Sequence, residues 1–275
     1  MDREKVLLVG DTSVSKSMSL IMLAIMYPDK KVLIFDSEDG VRKVIRELGF
    51  AETPPNLTIF KVRPDWKAML DFYDSVKSLY GEGDWICPDM LGKFWNLSQQ
   101  YYSNRVFGVN PIEHLLTLRS QAQKTSFGGF DGLQDWSLIK RMHNELFLDD
   151  MVVDGNCNVM ATTSVGQYLP IEKVPNAKDN QVGNLLALKF GIKMEGEKNN
   201  TFRFDTIVLL RRTLENKFIY NIVKDKGRAF NPDTSFDITN DKMLTGEWTI
   251  LDTPTAKSFW SVYLSTHPTL QRTNG

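Results

Sequence analysis

The sequence predicts one α/β domain: a mainly parallel central sheet flanked by helices and closed by a C-terminal antiparallel hairpin. Three observations carry this. Apolar runs such as "EKVLLV" (residues 4–9) and "KVLIF" (31–35) suit strands buried on both faces of a parallel sheet. Segments with helical spacing separate those runs, and alternating strand and helix signals imply parallel pairing. Further on, "TFRFDTIVLLRRT" (201–213) and "NKFIYNIVKD" (216–225) alternate polar and apolar residues, like two hairpin arms joined through Leu214, Glu215 and Asn216.

The first strand ends at Gly10, and "SMSLIMLAIMY" follows as a helix that stops at Pro28. The second strand ends in Asp36, Glu38 and Asp39, and "GVRKVIRELGF" (40–50) is a helix with Gly49 near its C-cap. "NLTIFKV" (56–62) is a third strand, and the helix over 65–83 takes Asp65 as its N-cap. "DWICPDM" (84–90) is a short strand ending in Asp89. From 91 the pattern is helical and then loosens into the glycine-rich "KTSFGGFDGLQ". A helix over 135–152 and a buried strand "NCNVMATTSV" (156–165) come next, then a polar, irregular stretch over 166–200. The tail from 231 ends in a short helix at 255–267. No linker divides the chain, so a single domain is expected, with its core over about 4–230.

Bulk properties exclude some classes. Of 275 residues, 42% are hydrophobic and 24% charged, close to the average of a soluble globular protein. A net charge of −1 supplies no overall basic field for nucleic acid, so any such contact must be local. Cys87 and Cys157 sit in apolar runs without metal-type spacing and read as buried, reduced thiols. The beginning of the chain lacks a signal-peptide layout and the longest apolar stretch is too short for a membrane span, so a cytoplasmic protein is expected. His114, His143 and His267 have no metal-like partners, and Trp85, Trp95, Trp136 and Trp260 read as core.

In parallel sheets ligands gather at the carboxyl ends of the strands, and the chemistry-bearing residues cluster there. Gly10, Asp11, Thr12, Ser13, Val14, Ser15, Lys16 and Ser17 follow the first strand and open a helix. This nearly matches the phosphate-binding loop G-x-x-x-x-G-K-[ST], with Ser15 in place of the second glycine. Backbone N–H groups at a helix N-terminus bind phosphate; Lys16 would reach the β- and γ-phosphates, and Ser17 would ligate magnesium. A left-handed backbone at Ser15 would cost ~1 kcal/mol, which weakens the loop without excluding it. Asp89 fits a magnesium carboxylate and Glu38 a carboxylate that orients the attacking water. The plainer alternative is that these acids only cap helices.

These segments together resemble a RecA-like P-loop ATPase of the phage-encoded, nucleotide-binding type. "VLLVGDTSVSKS" is similar to its Walker A loop, "VLIFDSED" to the strand carrying the catalytic glutamate (Glu38), and "DWICPDMLGKFW" to the Walker B strand with Asp89. "CNVMATTSV" resembles the strand with a polar sensor, Thr162 or Thr163. "GIKMEGEKNNTFRFDTIVLLRR" and "FIYNIVKDKGR" look like the closing hairpin, in which Lys224 or Lys226 and Arg228 match residues acting on a neighbouring subunit's nucleotide. The same residues also suit an ordinary exposed strand end. The resemblance spans about residues 4–230 and rests mainly on the order of the motifs. It implies ATP and Mg2+ as cofactors, ATP hydrolysis, a homo-oligomeric ring or filament, and action on DNA in recombination, helicase work or helicase loading, in a host's cytoplasm if the protein is viral. It also implies that Arg105, Arg119, Lys124, Phe127, Phe130, Lys173, Lys178 and Lys189 contact single-stranded DNA, although such residues are common in any surface loop. Some RecA-like relatives also lack the loop's second glycine, so Ser15 bears on efficiency more than on binding. A nucleotide-dependent switch with weak or no hydrolysis is the alternative. A small-molecule kinase shares the loop but is expected to carry an arginine-rich lid, and none is evident in the second half of the chain.

Overall fold

The computed structural model describes residues 3–63, 65–110, 112, 113, 116, 134–168, 186, 187, 189–226, 230 and 234–239. Within them the chain is an α/β protein with a mixed, mostly parallel sheet. The strands are β1 (Lys5–Gly10), β2 (Val32–Asp36), β3 (Leu57–Lys61), β4 (Trp85–Asp89), β5 (Asn158–Tyr168), β6 (Ile192–Met194), β7 (Thr206–Arg212), β8 (Phe218–Asp225) and β9 (Ser235–Asp237). The helices are α1 (Lys16–Met26), α2 (Val41–Glu47), α3 (Trp66–Val76), α4 (Leu91–Phe107), α5 (Gln134–His143) and the short α6 (Asn200–Arg203). A wider, π-type helix continues α5 through Asn144–Leu148 and Asp150–Asp154.

The strands lie in the order β3-β2-β4-β5-β1-β7-β8-β9, and β6 pairs with the far end of β5. From β3 to β7 all neighbours are parallel, while β7–β8, β8–β9 and β5–β6 are antiparallel. The continuous apolar runs of β1, β2 and β4 have a direct cause, since these strands are covered on both faces. In β1, Val6 and Leu8 join a core with α1 and α2, including Leu20, Leu23 and Val41. Leu7 and Val9 join the opposite core with α3, α4 and the π-type turns, including Trp66, Phe94 and Phe147. Phe35 anchors that second core with edge contacts to Phe60, Phe72, Tyr73 and Phe147.

Local signals hold where they were strongest. The Asp65 side chain accepts the Ala68 N–H at 3.0 Å and caps α3. Gly49 follows α2 with φ 82°. Cys87 and Cys157 are free and buried, and burial pushes both thiols up, Cys157 to about 11. Trp85 is core, whereas Trp136 is 38% exposed and stacks on Trp95.

Three expectations need adjustment. The helix from 91 does not loosen but runs intact to Phe107 and stops at Gly108, whose φ of 72° closes it. Within the stretch 166–200, β5 extends to Tyr168 and pairs with β6, so these segments are strands rather than irregular. The first hairpin arm begins at Thr206 rather than 201; residues 200–203 form α6, and the Lys224 amine binds the Thr201 carbonyl at 2.9 Å and also that of Phe204. The helix expected at 255–267, Trp260, His114 and His267 lie outside the described residues. No helix among those described is long and apolar enough to cross a membrane.

His143 carries a pH consequence. It is fully buried among Trp66, Trp95 and Phe147, and neither ring nitrogen has a partner among the described residues. Burial, with Arg203 nearby adding to it and Asp149 opposing it, lowers its pKa from 6.5 to about 3. The unfolded chain therefore takes up the proton first as pH falls, and stability is lost from about 6.5 downward. His143→Leu is expected to remove about 1–2 kcal/mol of the acid sensitivity between pH 7 and 5, read by urea unfolding at both pH values. An unchanged pH dependence in that variant would refute this.

Candidate functional site

The parallel register brings the carboxyl ends of β1, β5, β4 and β2 to one edge. Asp36 lies beside Asp89, Asp89 beside Thr162, and Gly10 beside Ser164. The loop from Gly10 to Ser17 arches over this edge. A Cβ at Gly10 would lie 2.6 Å from Val14 Cγ2 and 2.8 Å from the Leu210 carbonyl oxygen, so only glycine fits there. Val14 is buried and pins the arch, while Asp11, Thr12 and Ser13 are exposed. The Asp11 side chain accepts the Thr12 N–H at 2.8 Å.

Ser13 (φ 59°) and Ser15 (φ 69°, ψ 22°) are both left-handed. The missing glycine thus stands where the backbone asks for one, and the chain adopts the conformation at the expense of strain. Ser15 then caps α1 through its carbonyl, which accepts the Ser19 N–H at 3.0 Å and the Ser19 hydroxyl at 2.9 Å.

Lys16 is 8% exposed, folded under the arch with its amine on the Gly10 and Asp11 carbonyls at 2.9 and 2.5 Å. Burial lowers its pKa; Asp89, Glu38, Asp11 and Glu195 act in the opposite sense. Ser17 donates its hydroxyl to Asp89 Oδ2 at 2.7 Å, joining the loop to a strand 72 residues away in the chain. Thr162 donates to the other oxygen, Asp89 Oδ1. Asp89 is 2% exposed and its pKa is raised to about 6, mainly by burial, with Asp36 and Glu38 adding to the rise and the two hydroxyls opposing it.

The strand-end acids divide between structural and chemical duty. Asp36 is a local brace that accepts the N–H groups of Glu38, Gly40 and Val41 at 3.0–3.2 Å. Asp89 caps nothing, because the N-cap of α4 is Met90 and makes no side-chain cap. Glu38 is half-exposed, 3.8 Å from Lys93 of α4, and its charge reaches both Lys16 and Asp89. Asp39 pairs with Lys61 instead.

Adjacent residues of β5 face opposite sides of the sheet. Thr162 therefore faces the loop, while the Thr163 hydroxyl donates to the Glu195 carbonyl at 2.8 Å on the α4 side. Of the two sensor candidates, Thr162 is the one brought to the loop. The structure does not bring Lys224 or Lys226 there within one chain. Lys224 pairs with Ile207, which pairs with Leu7, about 10 Å along the strand from Gly10. Its amine is half-buried on the α6 carbonyls, and burial lowers its pKa to about 8. Lys226 pairs with Asp205 at 2.8 Å. Arg228, Arg119, Lys124, Phe127, Phe130, Lys173 and Lys178 lie outside the described residues; Arg105 and Lys189 are exposed. Glu195, whose charge also reaches Lys16, belongs to no strand-end motif and was not singled out from the sequence.

The fold and the edge define an α/β protein with a loop after β1 whose serine donates to a buried carboxylate and whose buried lysine feels that charge. Compared with known proteins, the chain matches no family model and no curated protein.

Two stability effects follow. The Asp89 pKa is higher folded than unfolded, so its contribution is present below about pH 3.8 and lost as pH rises through about 6. Asp89→Asn is expected to raise stability at pH 8 without metal by about 1–3 kcal/mol, measured as a higher urea midpoint; a lower midpoint would contradict the linkage. Ser15→Val is expected to destabilise by about 2 kcal/mol, whereas Ser15→Gly stays within about 1 kcal/mol of the parent. Equal midpoints for the two Ser15 variants would show that the left-handed backbone is not strained.

Proposed function

We propose that the chain is an ATP-binding, ATP-hydrolysing protein of the RecA-like class that works on DNA as an oligomer. The observation that carries the reading is the Ser17–Asp89 hydrogen bond, with Lys16 held under the arch beside it. A chance strand-to-helix turn has no reason to bury a lysine and direct its next hydroxyl at a carboxylate from another strand.

The residues fit magnesium. Mg2+ prefers hard oxygen ligands and takes one or two carboxylates together with waters and substrate phosphates, rather than an all-protein cage. The Ser17 hydroxyl and Asp89 are such a pair, and no group of three or more His, Cys, Asp or Glu side chains suited to a metal occurs among the described residues. Bound there, the ion neutralises charge on the phosphate oxygens. The backbone N–H groups of the arch and the α1 N-terminus take the phosphates. Lys16 exchanges the Gly10 and Asp11 carbonyls for phosphate oxygens. Thr162 holds Asp89 in place. Glu38 reaches toward the same edge from β2 to orient the attacking water.

The oligomeric part of the reading draws on the two hairpin lysines. Lys224 and Lys226 lie at the amino end of the β1 level, so they could meet a nucleotide only on a neighbouring copy. A head-to-tail ring or filament supplies that geometry. The DNA part of the reading rests on the family resemblance.

Lys16→Ala is expected to cut ATP turnover at least about 100-fold, measured as phosphate release. Unchanged turnover would remove the assignment. Single-stranded DNA is expected to stimulate the parent protein, and the mass in ATP should exceed that of one chain. A second reading, a nucleotide-dependent switch, is favoured by the left-handed Ser15. Tight ATP binding with no phosphate release, with or without DNA, would establish it.

A further inference from the structure

Glu195 directly follows β6, and the fold clears a place for it. Its N–H donates to the Ser164 carbonyl at 2.8 Å and its carbonyl accepts the Thr163 hydroxyl at 2.8 Å. Ser164 is the register partner of Gly10, where the phosphate-loop-like arch begins. Two glycines leave the space. A Cβ on Gly92 would lie 2.7 Å from Glu195 Cγ and Cδ and 2.9 Å from Oε2, and one on Gly166 would lie 3.0 Å from Glu195 Cα. The carboxylate therefore rests against the first turn of α4, the helix that starts two residues after Asp89. Glu38 reaches the same turn through Lys93. A helix N-terminus favours negative charge beside it.

The two acids differ in how they are held. Glu38 is half-exposed and sits 3.8 Å from a half-exposed lysine. Glu195 is partly buried, and its backbone is bonded on both the N–H and the carbonyl side to the strand next to β1. Positioned groups contribute more to a transition state than groups that must be ordered first. The Lys16 ammonium feels the charge of both.

We propose that Glu195 shares with Glu38 the orienting of the water that attacks the terminal phosphate, an inference resting on the ATPase reading. In the step, the water oxygen bonds to the γ-phosphorus and the bond from γ-phosphorus to the bridging oxygen breaks. The electron pair of that bond stays on ADP, and the water proton passes to a carboxylate and then to solvent. Glu195 takes the water from the β5 side and Glu38 from the β2 side.

The test uses the full chain with Mg2+ and a fluorescent ATP analogue for affinity, and ATP for single-turnover hydrolysis from pH 5 to 9. Glu195→Gln, Glu195→Asp, Glu38→Gln and the double glutamine variant are compared with the parent. Glu195→Gln is expected to keep affinity within about twofold and lose at least about 10-fold in single-turnover rate, with a shifted acid limb of the pH profile. Glu195→Asp should recover part of the rate, and the double variant should be slower than either single one. Glu195→Gln at the parent rate, with Glu38→Gln inactive, would overturn this proposal and leave the ATPase reading intact. A rate loss that only tracks a fall in melting temperature, with an unchanged pH profile, would overturn it too. A parent protein that neither binds nor hydrolyses ATP would overturn both.

Discussion

The Asp89 carboxylate, held between the hydroxyls of Ser17 and Thr162, is the interaction on which the candidate site depends. It joins the arch after β1, the end of β4 and the end of β5 into one edge. A carboxylate 2% exposed is costly to ionise, and two hydroxyl donors offset only part of that cost. An apolar side chain there would pack without the desolvation penalty. That the edge holds a carboxylate with a buried lysine close by is the physical argument for a ligand of high charge.

The arch shows the same preference for geometry over comfort. Ser13 and Ser15 hold left-handed angles that serine adopts reluctantly, and Gly10 is closed in by Val14 and Leu210. Local strain of this kind persists where the surroundings impose it. Here Val14 buried on one side and the Ser17–Asp89 bond on the other fix the two ends of the strained stretch. The consequence is an arch whose shape is fixed by the chain's own packing.

Much of the fold was legible because its signals are local. The apolar runs of β1, β2 and β4 are continuous since both sheet faces are covered, and Asp65 and Gly49 mark helix ends by their own chemistry. The candidate site was legible where a residue sits in a motif at or just after a strand end, as Lys16, Ser17 and Asp89 do. Periodicity could not separate Asp36 from Asp89, because bracing a turn and accepting hydroxyls both call for a buried carboxylate. It could not choose between Thr162 and Thr163 either, since the choice depends on which face of β5 meets the arch. β6 has three residues and pairs only through the long extension of β5, so no period reveals it. Glu195 was hidden for the same reason: the close approach of Gly92 and Gly166 is a tertiary fact.

The arch from Gly10 to Ser17 is proposed as a phosphate cradle completed by Asp89. Hydrogen exchange with and without ATP and Mg2+ tests it most directly, because it locates the ligand without requiring turnover. Slowed exchange over residues 10–20 and at the first turn of α4, lost when Mg2+ is omitted, is the expected result. Unchanged exchange there, or protection confined to another surface such as the cleft lined by Tyr73, Lys77 and Cys157, would contradict it.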